Sequence, residues 1–554
     1  MSELYFLTIA EAAKLIRTRK LSPVELTQAY LHRVQALDPQ INAFITLTGE
    51  RALEQAQQAE AEITAGRYRG PMHGIPFGLK DLYATAGILT TGHSRVRIDH
   101  VPEEDATATA KLYQAGAVLL GKLSTYEFAH GGAPEFDAPW PPARNPWNAQ
   151  HTSGGSSSGS GAAVAAGFLP AALGTDTGGS IRIPAALCGT VGLKPTYGLV
   201  SRYGVTPNSF TFDHCGPLTW TVEDCAIMLG AIAGYDARDS GSADRPVPDY
   251  RATLGADIRG LRVGVVRHFW EQDLKTDPQL ARAMDEAIDV LKRLGARIED
   301  VRMRPPQDYV DVKMTIAETE IFCVHHKDLV ARAQDYGLHF LAQTLTGCLF
   351  QSAEYVAAQR ERRRMLNEMG PLYARHDVLL TATNTPAARV DQHSPANSWI
   401  RANIYNAFSV TAGPALVLCN GYSSSGLPLS MQLAGAPFDE VTVLRLAHAY
   451  EQATPWRQRR PAIVPGAARA WISPPPHLSG GAVDLAIRAE VEVLAHRAGL
   501  KLNDTQLTLL SEIAPHVFAM GARIRRDQEW TDEPADVFHP HAGMLHDTPR
   551  TGSA

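Results

Sequence analysis

Apolar and polar positions in the N-terminal region read as helical, and the flanking residues mark where helices start. Thr8 with Glu11 fits a capping box. Ser22-Pro23-Val24-Glu25 fits one better, because Pro sits at the first helical position. ERALEQAQQAEAEITAG predicts a long helix ended by Gly66. The pattern then shortens. IPFGLKDLY and GAVLLGKL predict strands, and DATATAKLYQAG between them predicts a helix from Asp105 to Gly116. LRVGVVRHF (261–269) predicts another strand. DPQLARAMDEAIDVLKRLGARIEDV predicts a helix stopped at Gly295 and then a strand. DVLLTATNTP, PALVLCN and LPLSMQLAG are later strand candidates, and VTVLRLAHAYEQATPW is a closing helix. This alternation is the α/β pattern, so residues 1–465 read as one α/β domain on a mixed sheet.

The pattern breaks at PGAARAWISPPPHLSGG, where Pro, Gly and Ser predict a linker over 466–481. Beyond it, VDLAIRAEVEVLAHRAGL and NDTQLTLLSEIAPHVFAMGARIR have helical spacing, with a capping box from Asn503 to Gln506. The unit 482–546 is too small to hold a substantial core alone, so it is expected to pack on the large domain. The tail 547–554 reads as disordered.

Composition narrows the class. The chain has 554 residues, 45% hydrophobic and 20% charged, with net charge −6 and a pI near 6.4. That is an ordinary globular balance. No Lys/Arg-rich run stands out, which argues against nucleic acid as the main partner. No run of about eighteen apolar residues suggests a membrane span, and MSELYFLTIAEAAKLI lacks the features of a signal peptide. A cytoplasmic protein is expected. Cys188, Cys215, Cys225, Cys323, Cys348 and Cys419 are scattered without a CxxC pair, and read as buried free thiols. His325-His326 and the HPH at 539–541 lack acidic or Cys partners at ligand spacing, so they read as surface histidines, and no metal is expected.

The candidate chemistry lies in HTSGGSSSGSGAAVAAGFLPAALGTDTGGSIR (151–182). Ten of its first fourteen residues are Gly, Ser or Thr. A flexible linker should lead to a domain boundary, but this stretch runs straight into an Ala-rich helix and an apolar strand. Small residues there suit close backbone approach, which ligand or anion binding also needs. A serine nucleophile requires a base. His151 and His214 are available, but neither accompanies a G-x-S-x-G elbow. Lys80, on the apolar run GIPFGLKDL, is the other candidate.

Taken together, GIPFGLKD, GGSSSGSGAAVAAG and GTDTGGSIRIPAALCGTVGLKPTYG resemble the amidase signature family. Ser156 and Ser180 are 24 residues apart and Lys80 lies 76 before Ser156, both as in that family. The likeness extends through VSRYGV, FDHCGPLTWTVEDCAIMLGAIAGYD and PLSMQLAGAPFDEVTVLRLAHAYE, over about 1–465. It implies an α/β fold with a large, twisted mixed sheet covered by helices on both faces, plus the C-terminal extension. It implies Ser180 as nucleophile, Ser156 as bridging serine after a cis Gly155–Ser156 bond, and Lys80 as base. Backbone N–H groups of Thr177, Gly178, Gly179 and Ser180 would form the oxyanion hole. Asp176, Arg182 and Ser157 would support the loop, while Ser157, Ser158 and Ser160 otherwise read as hydroxyls bonding local loop backbone. No cofactor is implied.

The chain departs from the family pattern at Ser158, commonly Gly, and at Ser124-Thr125, commonly Asn-Met. Ser124 and Thr125 are therefore pocket candidates; Trp140, in the aromatic- and proline-rich stretch 130–148, is a candidate pocket lid that otherwise packs its loop, and further pocket residues are expected from 310–350 and 380–410. The tail resembles the C subunit of glutamine-dependent tRNA amidotransferase in its two helices and the acidic piece DQEWTDEPADVFHP. A C-like companion also accompanies stand-alone amidases of small urea-like acids. The expected activity is that of an amidohydrolase cleaving a non-peptide amide, urea or carbamate C–N bond. The alternative is the glutaminase subunit of a glutamine-dependent amidotransferase. The expected partner is a small amide, without nucleic acid or membrane, and the assembly is open to a homodimer.

Overall fold

Strand segments without polar alternation are stable only in a sheet covered on both faces. The computed structural model describes residues 4–131, 137–390, 402–467, 483–524 and 533–534, and it contains such a sheet. Eleven strands lie in the order β1 (Phe44–Leu47), β3 (Val118–Leu123), β2 (Pro76–Lys80), β4 (Ala171–Asp176), β6 (His214–Thr219), β5 (Val191–Lys194), β10 (Ala415–Tyr422), β11 (Pro428–Gly435), β9 (Val378–Ala382), β7 (Arg262–Val265) and β8 (Arg297–Asp300). The sheet is mixed: β2 runs parallel to β3 and β4, while β4 and β6 are antiparallel. Strands β2, β3, β4, β5, β6, β9 and β11 are buried at every position. This is why the sequence there reads as apolar runs. The fold is α/β.

Helices α1 (Ile9–Arg17), α2 (Pro23–Ile41) and α3 (Gly49–Thr64) form the N-terminal layer. The Thr8–Glu11 capping box is present. Ser22 Oγ accepts from the N–H groups of Val24 and Glu25 at 3.0 and 3.3 Å. Helix α4 spans Thr107–Gln114 rather than starting after Asp105. The Asp105 carboxylate instead accepts from the Ala86 N–H at 2.8 Å, so it ties a neighbouring loop and leaves the helix uncapped. Helices α5 (Ser158–Ala165) and α6 (Arg182–Cys188) flank β4, and α7 (Val222–Ile232) packs on β6. Helix α8 (Pro278–Arg293) follows β7.

Two long helices were not anticipated: α9 (Pro306–Arg332) and α11 (Ser352–Arg375), with the short α10 (Leu338–Thr344) between them. Helix α9 is buried on most of its circumference, from Tyr309 through Phe322. It therefore shows no one-sided stripe for a sequence reading to detect. Its His325 is buried against Phe128 and Phe340 and bonds the Tyr336 hydroxyl at 3.0 Å, which corrects the surface reading of that residue. His326 is exposed, and His539 to His541 lie outside the described residues. Four cysteines are buried thiols, but Cys348 is partly exposed and Cys323 exposed.

Short α12 (Asn406–Val410) and α13 (Glu440–Gln452) complete the region before residue 467. Most of the 466–481 stretch, the acidic piece and the 547–554 tail lie outside the described residues. Helices α14 (Leu485–Arg497) and α15 (Asp504–Ile524) pair with each other, and α15 packs on α9, α10 and α11. Asn503 and Gln506 exchange the expected capping bonds at 3.0 and 2.9 Å. Leu509, Leu510, Ile513, Ala514 and Val517 are buried by this packing, and the Arg523 guanidinium binds Asp311 of α9 at 2.7 Å. Among the described residues, no helix is long and apolar enough to cross a membrane. Replacing Ile513 by Ala removes side-chain packing from a fully buried site, so unfolding in urea should show a loss of about 2–5 kcal/mol.

Candidate active site

In open α/β sheets, ligands bind in the crevice beyond the carboxyl ends of the strands. β2 and β4 are parallel neighbours in register at Leu79 and Leu173, so Lys80 and Thr175 emerge at one edge. The N-terminus of α5 lies against that edge. Gly159 permits this, because a Cβ there would meet the Ala43 carbonyl oxygen at 2.4 Å and the Ser124 nitrogen at 2.5 Å. Ser160 Oγ donates to the Leu173 carbonyl at 3.0 Å. Ser157 Oγ donates to the Thr175 carbonyl and accepts from its N–H, both at 3.2 Å. Ser158 Oγ donates to the Ser124 carbonyl at 3.3 Å. These hydroxyls therefore hold α5 to the strand ends, a correction to the expectation that they bond local loop backbone.

Lys80 and Ser156 are buried. The Lys80 Nζ donates to Ser156 Oγ at 2.7 Å and to Thr175 Oγ1 at 2.8 Å. The Gly155–Ser156 peptide bond is cis. Burial pushes the Lys80 ammonium down to about 7, against the upward pull of Asp176, Asp213 and Cys215. Thr175, the second acceptor of Lys80, was missed from the sequence. Its position one residue before Asp176 on a fully buried strand was the available signal.

The loop after β4 is organised by a buried ion pair. Asp176 Oδ1 takes the Gly179 N–H at 2.8 Å, and its Oδ2 takes the Ile181 N–H at 3.1 Å. Arg182 Nε and Nη2 reach the same carboxylate, each at 2.9 Å. The remaining guanidinium donors go to the Tyr405 carbonyl, Gln432 Oε1 and Ser409 Oγ at 2.8–3.0 Å. Burial works to raise the Asp176 carboxyl, but Arg182 outweighs it and holds the group well below the usual carboxylate range. Of the four N–H groups expected to form an oxyanion hole, that of Gly179 is thus already engaged by Asp176. The Ser180 carbonyl accepts from the Ser157 N–H at 3.1 Å, which joins this loop to the α5 start. Ser180 and Gly178 are partly exposed, in contrast to buried Lys80 and Ser156. Among the described residues, no hydrogen bond joins the Ser156 and Ser180 hydroxyls.

The histidines stand apart from this chemistry. His214 Nδ1 lies 2.6 Å from the Phe212 carbonyl and His151 Nδ1 lies 2.8 Å from the Ala387 carbonyl. Ser124 and Thr125 are buried beside His93 Nδ1, each with a contact at 3.4 Å. The imidazole also meets Trp140: its Nε2 lies 2.9 Å from the Trp140 carbonyl, and the two rings are nearly perpendicular. The three pocket candidates thus gather around one buried imidazole. A cavity of about 200 Å³ adjoins Thr175 and Asp213, with Asn208, Ser209 and Arg202 on its walls. Asn403 and Asn406 reach the Gly178 backbone from the C-terminal part of the domain.

With Lys80, Ser156 and the glycine loop at one strand edge, comparison with known proteins agrees with the motifs. The Amidase family model matches residues 25–444. The chain belongs to the amidase signature family. The A-type subunit of Glutamyl-tRNA(Gln) amidotransferase from Geobacter metallireducens is 40% identical over 491 residues, covering 83% of this chain and all of that protein. Among solved structures of amidase relatives, peptide amidase from Stenotrophomonas maltophilia has a TM-score of 0.73 at 31% identity, over 82% of this chain and 98% of the other. The structure of a vestigial complex bearing on the origins of an s-triazine catabolic enzyme has a TM-score of 0.75 at 32% identity, over 80% and 98%.

Arg182→Met would leave Asp176 buried without its counter-charge, and is expected to cost about 3–5 kcal/mol by chemical denaturation. The sign of the pH dependence follows from the depressed carboxyl. The pair's stabilisation is complete above the ordinary Asp value of about 3.9 and is lost as pH falls through the lower folded value. The variant should therefore lose most relative to wild type at neutral pH, with the gap closing in strong acid.

Proposed function

We propose that the chain cleaves a carboxamide C–N bond through an acyl-enzyme on Ser180. The observation that carries this reading is the buried Lys80 Nζ at 2.7 Å from Ser156 Oγ, at the strand edge that also bears the Ser180 loop. A serine hydroxyl is a weak nucleophile until a base takes its proton. A base serves best near neutrality, and burial has brought Lys80 to about 7. Neutral Lys80 accepts the Ser156 proton while Ser156 accepts that of Ser180. Ser180 Oγ then adds to the carbonyl carbon. The N–H groups of Thr177, Gly178 and Ser180 are the candidate donors to the resulting oxyanion. The proton returns through Ser156 to the leaving nitrogen, the C–N bond breaks and the amine departs. Water repeats the sequence on the ester, releasing the carboxylic acid and restoring Ser180.

Two settings fit this chemistry. One is a stand-alone amidohydrolase acting on a small amide, urea or carbamate. The other is the glutaminase subunit of an amidotransferase. The relatives at 40% identity, named as A-type subunits of Glutamyl-tRNA(Gln) amidotransferase, support the second more strongly than the first. In that setting the ammonia released from glutamine passes to partner subunits.

Ammonia release from glutamine and from simple amides, ureas and carbamates, with and without the other subunits of such an amidotransferase, tests both. Glutamine turnover that rises when the partners are added supports the amidotransferase reading. Partner-independent turnover of another amide supports the hydrolase. Ser180→Ala should abolish either activity, and residual ammonia release in that variant would refute the acyl-enzyme. The pH profile adds a separate check. kcat/KM should fall about tenfold per pH unit below about 7, as Lys80 becomes protonated and can no longer act as base. A flat profile down to about pH 5 would remove Lys80 from that role.

A further inference from the structure

Helix α9 brings a lysine to the nucleophile loop that the proton relay does not use. Lys313 is 8% exposed. Its Cε lies 3.1 Å, and its Nζ 3.7 Å, from the point a Cβ on Gly178 would occupy. Asn406 Oδ1 lies 3.0 Å from the same point. The ammonium and the amide thus flank the partly exposed glycine two residues before Ser180.

Among the described residues, the ammonium is poorly engaged. Its polar contacts are Met314 Sδ at 3.5 Å and Glu318 Oε1 at 3.8 Å. Thioether sulfur is a weak acceptor, and 3.8 Å is beyond hydrogen-bond reach. Glu318 is fully buried, and its other oxygen is bound to His130 Nε2 at 2.6 Å. Burial works to raise the Glu318 carboxyl, but His130 and Lys313 outweigh it and hold the carboxylate ionised. Glu318 therefore offsets part of the cost of burying the ammonium through an ion pair at 3.8 Å, longer than a direct hydrogen bond. A buried cation with uncommitted donors needs an acceptor. Lys313 stands beside Gly178, which is partly exposed and lies two residues before Ser180, so its ammonium is beside the loop that would carry an acyl group.

We propose that Lys313 anchors a carboxylate of the substrate, so that the preferred substrates are amides bearing an anionic carboxylate within two or three carbons of the scissile carbonyl. This rests on the acyl-enzyme reading above and specifies its substrate class. Lys313 acts in binding and orientation, and the relay through Lys80 does not pass through it.

The test uses the full chain and a serine-directed fluorophosphonate, with malonamate and succinamate as carboxylate-bearing amides and propionamide and butyramide as neutral counterparts. The labelling rate is measured with each amide present. Malonamate or succinamate should protect wild type at concentrations about 10–100-fold lower than the neutral amides, the range expected for one charge-assisted contact. Relative to its own labelling rate without amide, Lys313→Met should lose that preference, and Lys313→Arg should retain part of it. Thermal unfolding of each variant establishes that it is folded. Equal protection by charged and neutral amides in wild type would overturn the proposal, as would an unchanged carboxylate preference in Lys313→Met. Labelling that persists in Ser180→Ala, or its absence in wild type, would instead overturn the acyl-enzyme reading beneath it.

Discussion

The ion pair between Asp176 and Arg182 is the constraint on which the site depends. A carboxylate and a guanidinium, both without solvent, survive in a protein interior only if nearly every lone pair and N–H is used. Here the unused capacity of Asp176 is spent on backbone, and that of Arg182 on backbone and side chains. Asp176 takes up N–H groups of the turn, and Arg182 reaches the Tyr405 carbonyl and side chains from α12 and β11. The pair thereby fixes the turn that presents Ser180 and ties it to strands far away in sequence. A hydrophobic replacement could fill the volume, but it could not specify the turn.

Much of this was legible in the chain because local rules and global fold agree there. The apolar runs around Lys80 and before Asp176 are strands buried on both faces, and short buried strands are recognised by their length and flanking turns. The capping boxes at Thr8 and Asn503 are three-residue patterns with a direct hydrogen-bond meaning. The serine-glycine motifs marked the site for a related reason, since so many small residues in mid-domain imply close approach of backbones. Gly159, pressed against Ala43 and Ser124, is that approach.

What the sequence concealed was non-local. Thr175 is one of several threonines on buried strands, and its contact with Lys80 exists only once β2 and β4 are neighbours. Helix α9 was obscured by its burial on nearly all sides, which erases the amphipathic signal. Lys313 went unnamed with it, and His325 was read as a surface residue. Asp105 shows the opposite failure: a good cap by sequence, its carboxylate was drawn to Ala86 by the loop packing. The engagement of the Gly179 N–H by Asp176 was hidden for the same reason, because it is a property of the folded turn.

The Arg523–Asp311 bond has an architectural consequence. Asp311 stands two residues from Lys313, so the last helix described in the chain grips α9 at the turn beside the Ser180 loop. The C-terminal addition and the Ser180 loop are thus joined through one strut, α9. Evolution can move that strut by altering the addition alone. A change there would shift α9 while Lys80, Ser156, Ser180 and the strands that carry them stay as they are.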